Sequence, residues 1–354
     1  MLNVHIVLNA KQNIDNYIIM AERITDIIES LKSSTCILPS SLREYKCDYD
    51  DDELCYIPGR FCITIPLRKK GLVFEKCIRV WRDDTIKDSL KKRYEIISNT
   101  LSKLRLPYFV NYEYCDSIVR LADGTVLSGI IMDWEADVPL EEYLTDNCVT
   151  SYDIYNISQK FYDMCKVLNE YKIAHGDLST GNILIDRNGN LKLIDYDTLY
   201  VPGMEQNFIQ TITGTPGYQH SKRTENLIAA ADNDFFSQQV IYLSLLTISY
   251  KPQLRSWIDK NLIFDEKDFL NDKNFINSRA YKAITDINND EIKDRLNELR
   301  KAVNSPLSKV HSVCDFDNRI IFMASFCGKC GNKFEESNEI LFCPKCGTKR
   351  EILY

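Results

Sequence analysis

Apolar residues recur near the helical period from about residue 10 to residue 32. Ile14, Tyr17, Ile18, Ile24, Ile28 and Leu31 mark one face, which predicts an amphipathic helix. The segment from Asp48 to Glu53 is acidic and reads as a solvated loop. From Leu54 to Met132 the pattern is strand-rich. Arg60 to Pro66 alternates, Lys69-Lys70-Gly71 makes a turn, and Phe74 to Trp81 predicts another strand. Lys87 to Leu104 returns to the helical period, with Leu90, Tyr94, Ile97 and Leu101 on one face. Tyr112 to Arg120, a turn at Asp123-Gly124, and Val126 to Met132 read as a hairpin. From Leu140 onward helices dominate, interrupted by short strands around Ile183 and Leu193. The apolar run from Val240 to Leu246 is too short to span a bilayer and predicts a buried helix. A small strand-rich part ahead of a larger helical part is an α+β layout. Residues from about 305 to 320 read as a linker into a separate C-terminal module.

Composition narrows the classes. The chain has 354 residues, 44% hydrophobic and 27% charged, which allows two or three domains and a large core. A net charge of -7 argues against a general nucleic-acid binder, whose footprint is a basic surface. The first residues lack a positive segment followed by a long apolar run, so no leader is expected. Thirteen scattered cysteines, an odd number, suggest a reducing compartment and hence a cytoplasmic location without membrane attachment. Nine of them, Cys77, Cys115 and Cys165 among these, sit in apolar or mixed runs and read as small buried hydrophobes.

The chemistry concentrates in His175-Gly176-Asp177-Leu178-Ser179-Thr180-Gly181-Asn182 and Leu191-Lys192-Leu193-Ile194-Asp195-Tyr196-Asp197. An Asp is followed five residues later by an Asn, and a second Asp stands behind an apolar run. A lone Asp or Asn is more often a cap or turn residue; the ordered set carries the signal. It resembles the catalytic loop and metal loop of the protein kinase superfamily. The resemblance implies a bilobal fold and ATP- and Mg²⁺-dependent (or Mn²⁺-dependent) phosphoryl transfer. Asp177 would orient the acceptor hydroxyl and accept its proton, while Asn182 and Asp195 would bind the metal.

Further landmarks follow in order. Lys76-Cys77-Ile78-Arg79-Val80-Trp81 resembles the strand that carries the nucleotide-binding lysine, with Arg79 at the matching position and Glu95 as its expected ion-pair partner. Gly59 is what remains of a glycine-rich phosphate loop, or serves a turn. Met132, Asp133 and Trp134 resemble the hinge whose backbone holds the adenine. Gly214-Thr215-Pro216-Gly217-Tyr218 resembles the end of the activation segment in Ser/Thr kinases, which implies that Thr215 bonds to Asp177. Asp234 would brace the catalytic loop from below. These landmarks run from about Leu54 to about residue 250 and look like a bacterial branch of protein-kinase-like proteins.

The departures are equally specific. Gly176 replaces the usual Arg that senses phosphate on the activation segment, which implies activity independent of such phosphorylation. Ser179 replaces a Lys, Asp197 a Gly, and His220-Ser221-Lys222 the usual Ala-Pro-Glu. Arg79 is planar and permanently charged, so it is not a neutral swap for Lys. Small-molecule kinases and pseudokinases share such losses, and both remain open beside a protein Ser/Thr kinase.

A second motif lies near the end. Cys327-Gly328-Lys329-Cys330 and Cys343-Pro344-Lys345-Cys346 are two CxxC pairs, each followed by Gly and separated by twelve residues. Four thiolates suit tetrahedral Zn²⁺ with no open position, hence a structural zinc ribbon. A segment this short cannot build a core alone. Its expected role is docking to a protein partner or substrate. The expected domains are a helical extension over 1–52, a kinase-like domain over 53–310 with lobes 53–132 and 133–310, and a ribbon over 321–354.

Overall fold

The computed structural model describes residues 23–33, 36–51, 53–59, 62–69, 74–82, 88–135, 137–204, 210, 213–315, 322–323, 345 and 352–353. They fall into two compact units. The first holds Met1–Asp137, Lys192–Ile194 and Val201–Glu205; the second holds Val138–Leu191, Asp195–Tyr200 and Gln206–Tyr354.

The first unit is built on a six-stranded sheet. Its strands are β1 (Lys46–Cys47), β4 (Ile57–Pro58), β5 (Cys62–Arg68), β6 (Lys76–Trp81), β7 (Tyr112–Arg120) and β8 (Val126–Asp133), in the order β1-β5-β6-β8-β7 with β4 beside β5. All the pairings are antiparallel. The acidic segment expected to be a loop instead folds into a tight hairpin of β2 (Tyr49–Asp50) and β3 (Glu53–Leu54), its Asp50 and Glu53 exposed. Period two sorts the side chains of the large sheet onto two faces. Ile63, Ile65 and Leu67 of β5, Ile78 and Val80 of β6, and Leu127 and Ile131 of β8 share one buried cluster. Cys62, Arg79, Trp81 and Met132 take the opposite face, since Arg79 pairs with Thr64 and Ile130, and Cys77 pairs with Met132.

Each face is covered by a helix. Residues 23–31 are helical (α1), and Ile27 and Leu31 enter the buried cluster with Ile24 and Ile28 packed against it. The spacing i, i+3, i+4, i+7 gives the single apolar stripe this docking needs. On the other face lies α2 (Asp88–Leu104), where Tyr94 meets Trp81 with ring centroids 4.7 Å apart and stacks on Tyr114 at 6.4 Å. The edge strand β7 is covered by residues 36–38: Leu38 N–H donates to Ile118 O at 3.0 Å, and Arg120 N–H to Cys36 O at 2.8 Å.

The second unit is mainly helical: α3 (Leu140–Thr145), α4 (Ser151–Glu170), α5 (Phe235–Tyr250), α6 (Asp272–Asn277), α7 (Arg279–Thr285) and α8 (Asp290–Val303). Every residue of α5 from Phe236 to Ile248 is buried, as expected of a helix apolar all round at the centre of a unit. Thr150 starts α4 with a capping box to Asp153. The short strand β9 (Val138–Pro139) pairs with β10 (Ile183–Ile185); β11 (Leu191–Leu193), whose last two residues belong to the first unit, precedes the Asp195 loop. No described helix is long and apolar enough to cross a membrane.

The stretch read as a linker differs from expectation. Residues 310–315 are pinned onto the helices. Gln239 Nε2 donates to His311 O at 2.7 Å, Arg295 Nη1 to Val313 O at 2.8 Å, and Ser312 Oγ to Gln238 Oε1 at 3.0 Å. Val310, Ser312 and Val313 are buried. Beyond them, β12 (Phe322–Met323) pairs with β13 (Ile352–Leu353). Cys327, Cys330, Cys343 and Cys346 lie outside the described residues. The other nine cysteines carry free thiols, of which Cys148 is exposed; burial pushes the Cys77 thiol up to about 12, which keeps it a thiol.

Removing the anchor of α1 tests its part in the core. Ile27→Ala is expected to lower stability by about 2–5 kcal/mol, read as a lower urea midpoint at unchanged slope. A shift under about 0.5 kcal/mol, as at an ordinary surface position, would show that α1 is only laid on the sheet.

Candidate active site

In the second unit, side chains and backbone groups from several segments meet at the loop that carries Asp177. Its Oδ1 accepts two hydrogen bonds from Thr215, from the backbone N–H at 2.6 Å and the hydroxyl at 2.8 Å. Its Oδ2 has no partner among the described residues. Its main-chain carbonyl accepts from Asn182 Nδ2 at 2.8 Å. Asn182 thereby commits its amide nitrogen, and its Oδ1 is the atom left to act as a ligand. One carboxylate oxygen is fixed and the other is open, which suits a group that must receive a proton from an incoming hydroxyl.

The loop is held from beneath by α5. Asp234, fully buried, accepts the backbone N–H of His175 through Oδ2 and that of Gly176 through Oδ1, the latter at 2.8 Å. Burial pushes its carboxyl above the ordinary range, while His175 and the two N–H bonds pull the other way. Thr198 ties in the metal loop by donating to His175 O at 2.9 Å. Asp195 sits at φ +63°, a left-handed backbone that few non-glycine residues adopt and that clusters at functional sites. Asp197 lies in the short 3₁₀ turn Tyr196–Thr198.

Two contacts here have no sequence signature. Thr180 Oγ1 donates to Glu141 Oε2 of α3 at 2.7 Å and lies 2.9 Å from the Tyr218 hydroxyl. Tyr218 is bolted to α5, since its carbonyl accepts from Ser237 Oγ at 2.8 Å. The buried Arg223 reaches Gln210 Oε1 at 2.7 Å. Glu141, Gln210 and Arg223 come from distant segments of no recognisable pattern.

The remaining candidates belong to the first unit. Arg79 Nε donates to Cys62 Sγ at 2.9 Å. Glu95 lies half-buried on α2. Gly59 sits at the β4–β5 turn, where its N–H donates to Cys62 O at 2.9 Å and its carbonyl accepts from Arg82 at 2.6 Å. Met132 is buried at the end of β8. Asp133 is bound by Lys76 Nζ at 2.7 Å and by Asn111, and Trp134 N–H donates to Glu75 O at 3.0 Å.

A family model for the protein kinase domain matches residues 73–307. The chain belongs to the protein kinase family. It is 23% identical over 176 residues to the serine/threonine-protein kinase PrkC of Bacillus subtilis, covering 49% of this chain and 26% of that protein. It is 24% identical over 149 residues to NUAK family SNF1-like kinase 2 of Homo sapiens, covering 40% and 22%. With Nek3 of Mus musculus it shares 29% identity over 106 residues, covering 29% and 20%. The chain thus spans about a quarter or less of the length of these relatives.

Two departures from the kinase pattern have a structural reason. Gly176 has φ +80°, and a Cβ there would stand 2.5 Å from Thr198 O, so neither Arg nor any other side chain fits. In place of Ala-Pro-Glu, His220 secures the segment: its Nδ1 accepts from Lys222 N–H at 3.1 Å, and its Nε2 lies 3.2 Å from Ala302 O of α8. Nδ1 must be bare to accept, so Nε2 carries the proton.

Burial lowers the His220 pKa, and the Lys222 charge adds to this. The folded value lies below the unfolded one, about 6.5, so the unfolded chain takes the proton first as pH falls. His220 therefore contributes full stability above about pH 6.5 and loses it as the pH drops toward the folded value. His220→Gln is expected to flatten the fall of the urea midpoint between pH 7 and pH 5.5, roughly one titration below neutrality; parallel curves for the two proteins would contradict this.

Proposed function

We propose that the chain transfers the γ-phosphoryl group of ATP to a Ser or Thr hydroxyl of a protein. The observation that carries this reading is the Asp177 carboxylate, with Oδ1 clamped by Thr215 and Oδ2 open. Asp177 orients the acceptor hydroxyl and takes its proton as the new bond forms. Thr215 fixes the rotamer of Asp177 and shapes the acceptor site. The Gly-Thr-Pro-Gly-Tyr segment, held to α5 through Tyr218, favours a protein acceptor. Asn182 and Asp195 offer one amide and one carboxylate, the sparse set that suits Mg²⁺ when phosphate oxygens and water complete its shell. When bound, the metal neutralises charge on the phosphates. Arg79, on the sheet face opposite the α1 cluster, supplies a cation for the nucleotide tail; Gly59, Glu95 and the backbone of Met132, Asp133 and Trp134 complete the proposed nucleotide contacts.

A second reading is a nucleotide-binding scaffold without turnover. Arg79 and Ser179, each in place of a lysine, favour it. Labelled γ-phosphate transfer with Mg²⁺ or Mn²⁺ separates the two. The expected result is transfer to protein rather than to metabolites, reduced roughly 10²–10⁴-fold by Asp177→Ala with nucleotide binding retained. Nucleotide-induced thermal stabilisation without transfer under either metal would favour the scaffold. Transfer to metabolites alone would make it a small-molecule kinase.

The C-terminal segment is read as a zinc ribbon that docks a protein partner. Two CxxC pairs with a twelve-residue spacer support it, as does the pairing of Phe322 with Leu353 and Met323 with Ile352 on either side of them. Elemental analysis of the purified chain is expected to find one zinc, lost in Cys343→Ser. A metal-free wild-type protein with four titratable thiols in this segment would sink the assignment.

A further inference from the structure

The usual Arg that holds a phosphorylated activation segment is absent, yet part of that segment is deeply fixed. Gln210 is 3% exposed. Its backbone N–H donates to Leu227 O at 2.7 Å. Its Nε2 donates to Thr198 O, and its Oε1 accepts from Arg223 Nη2 at 2.7 Å. The Asn233 side-chain amide is 3.3 Å from the same oxygen. The Arg223 guanidinium on one side and the Thr198 carbonyl on the other set the orientation of the amide. Only a side chain with both a donor and an acceptor fits.

From Gln210 a continuous path leads to the catalytic loop. Thr198, whose carbonyl Gln210 holds, donates its hydroxyl to His175 O at 2.9 Å. The same carbonyl fills the space that a Cβ at Gly176 would need. His175 and Gly176 hang from Asp234, and Asp177 is the next residue. The loss of the Arg and the presence of the Gln are therefore two sides of one arrangement: the Thr198 carbonyl that Gln210 holds stands where any side chain at position 176 would begin.

We propose that Gln210 is a positioning residue that ties the Thr198 carbonyl to the catalytic loop, so that phosphoryl transfer needs no phosphorylation of the segment ahead of Thr215. The inference rests on the phosphotransferase reading above. Gln210 does the work that a phosphorylated side chain and the missing Arg share elsewhere in the family.

The test uses the full chain and two variants. Gln210→Glu keeps an acceptor for the Arg223 guanidinium and cannot donate to Thr198 O. Gln210→Ala removes both bonds without adding charge. Phosphatase-treated wild type and the Thr211→Ala/Thr213→Ala double variant are expected to keep the wild-type kcat. Both Gln210 variants are expected to lose roughly 10- to 100-fold in kcat with KM for ATP unchanged, the signature of misplacement rather than lost binding. Loss of activity on phosphatase treatment would overturn the proposal, as would a Gln210→Glu kcat within about two-fold of wild type. Amide hydrogen exchange gives an arm that needs no turnover. Exchange at Tyr200, whose N–H donates to Ala174 O at 2.7 Å, is expected to rise about ten-fold or more in both variants. Unchanged exchange overturns the proposal by itself. Raised exchange with no transfer by the wild type means that the Gln210 tie stands and the phosphotransferase reading fails.

Discussion

The second unit depends on one buried carboxylate. Asp234 takes the N–H groups of His175 and Gly176, and a polar group at full burial is tolerated only when so bonded. It stands at the head of α5, so a helix buried along nearly its whole length carries the loop with Asp177. Around that joint the other contacts are geometric consequences. The tight turn at Gly176 admits the Thr198 carbonyl, Thr198 in turn caps His175 O, and Thr215 meets Asp177 from the other side. Position at this site is held by backbone groups as much as by side chains. That suits phosphoryl transfer, where placement and charge count for more than covalent chemistry.

The first unit shows a different economy. A sheet with two apolar faces needs two covers. Helix α2 serves one face through Trp81, Tyr94 and Tyr114, and α1 the other through Ile27 and Leu31. The kinase-family match begins at residue 73, yet β5 ends at Arg68 and pairs with β6 along its whole length. The residues ahead of the family match are therefore part of the same core.

What the sequence revealed and what it hid divide along chain distance. The Asp177-to-Asn182 spacing, the Asp195 loop and the Gly-Thr-Pro-Gly-Tyr run are local patterns, so the roles of Thr215 and Asp234 could be inferred before any fold was known. The α2 face and the β7–β8 hairpin were legible from period alone, and so was the buried α5; of α1 the period picked out Ile24, Ile28 and Leu31 but not Ile27, and its reading over residues 10–22 lies outside the described residues. Gln210 and Glu141 were not, because a single Gln or Glu carries no period and its partners lie 12 to 39 residues away. Residues 310–315 misled for a related reason: their polar character is satisfied by Gln238, Gln239 and Arg295 on two helices, contacts that composition cannot foresee. Arg79 and Glu95 were matched by analogy with the family; the contact of Arg79 with the Cys62 sulfur, from the neighbouring strand, has no sequence pattern. The CxxC pairs remain a reading from spacing.

The pinned segment 310–315 also sets a leash. Because the chain is fast to the helices at Val313, the way from Asp315 to Phe322 is seven peptide units, at most about 25 Å however they run. A protein captured by the cysteine-rich end would then be confined to a small volume around one fixed point on the helical unit. Confinement of that kind raises the local concentration of a captured molecule to the millimolar range without any contact at Asp177.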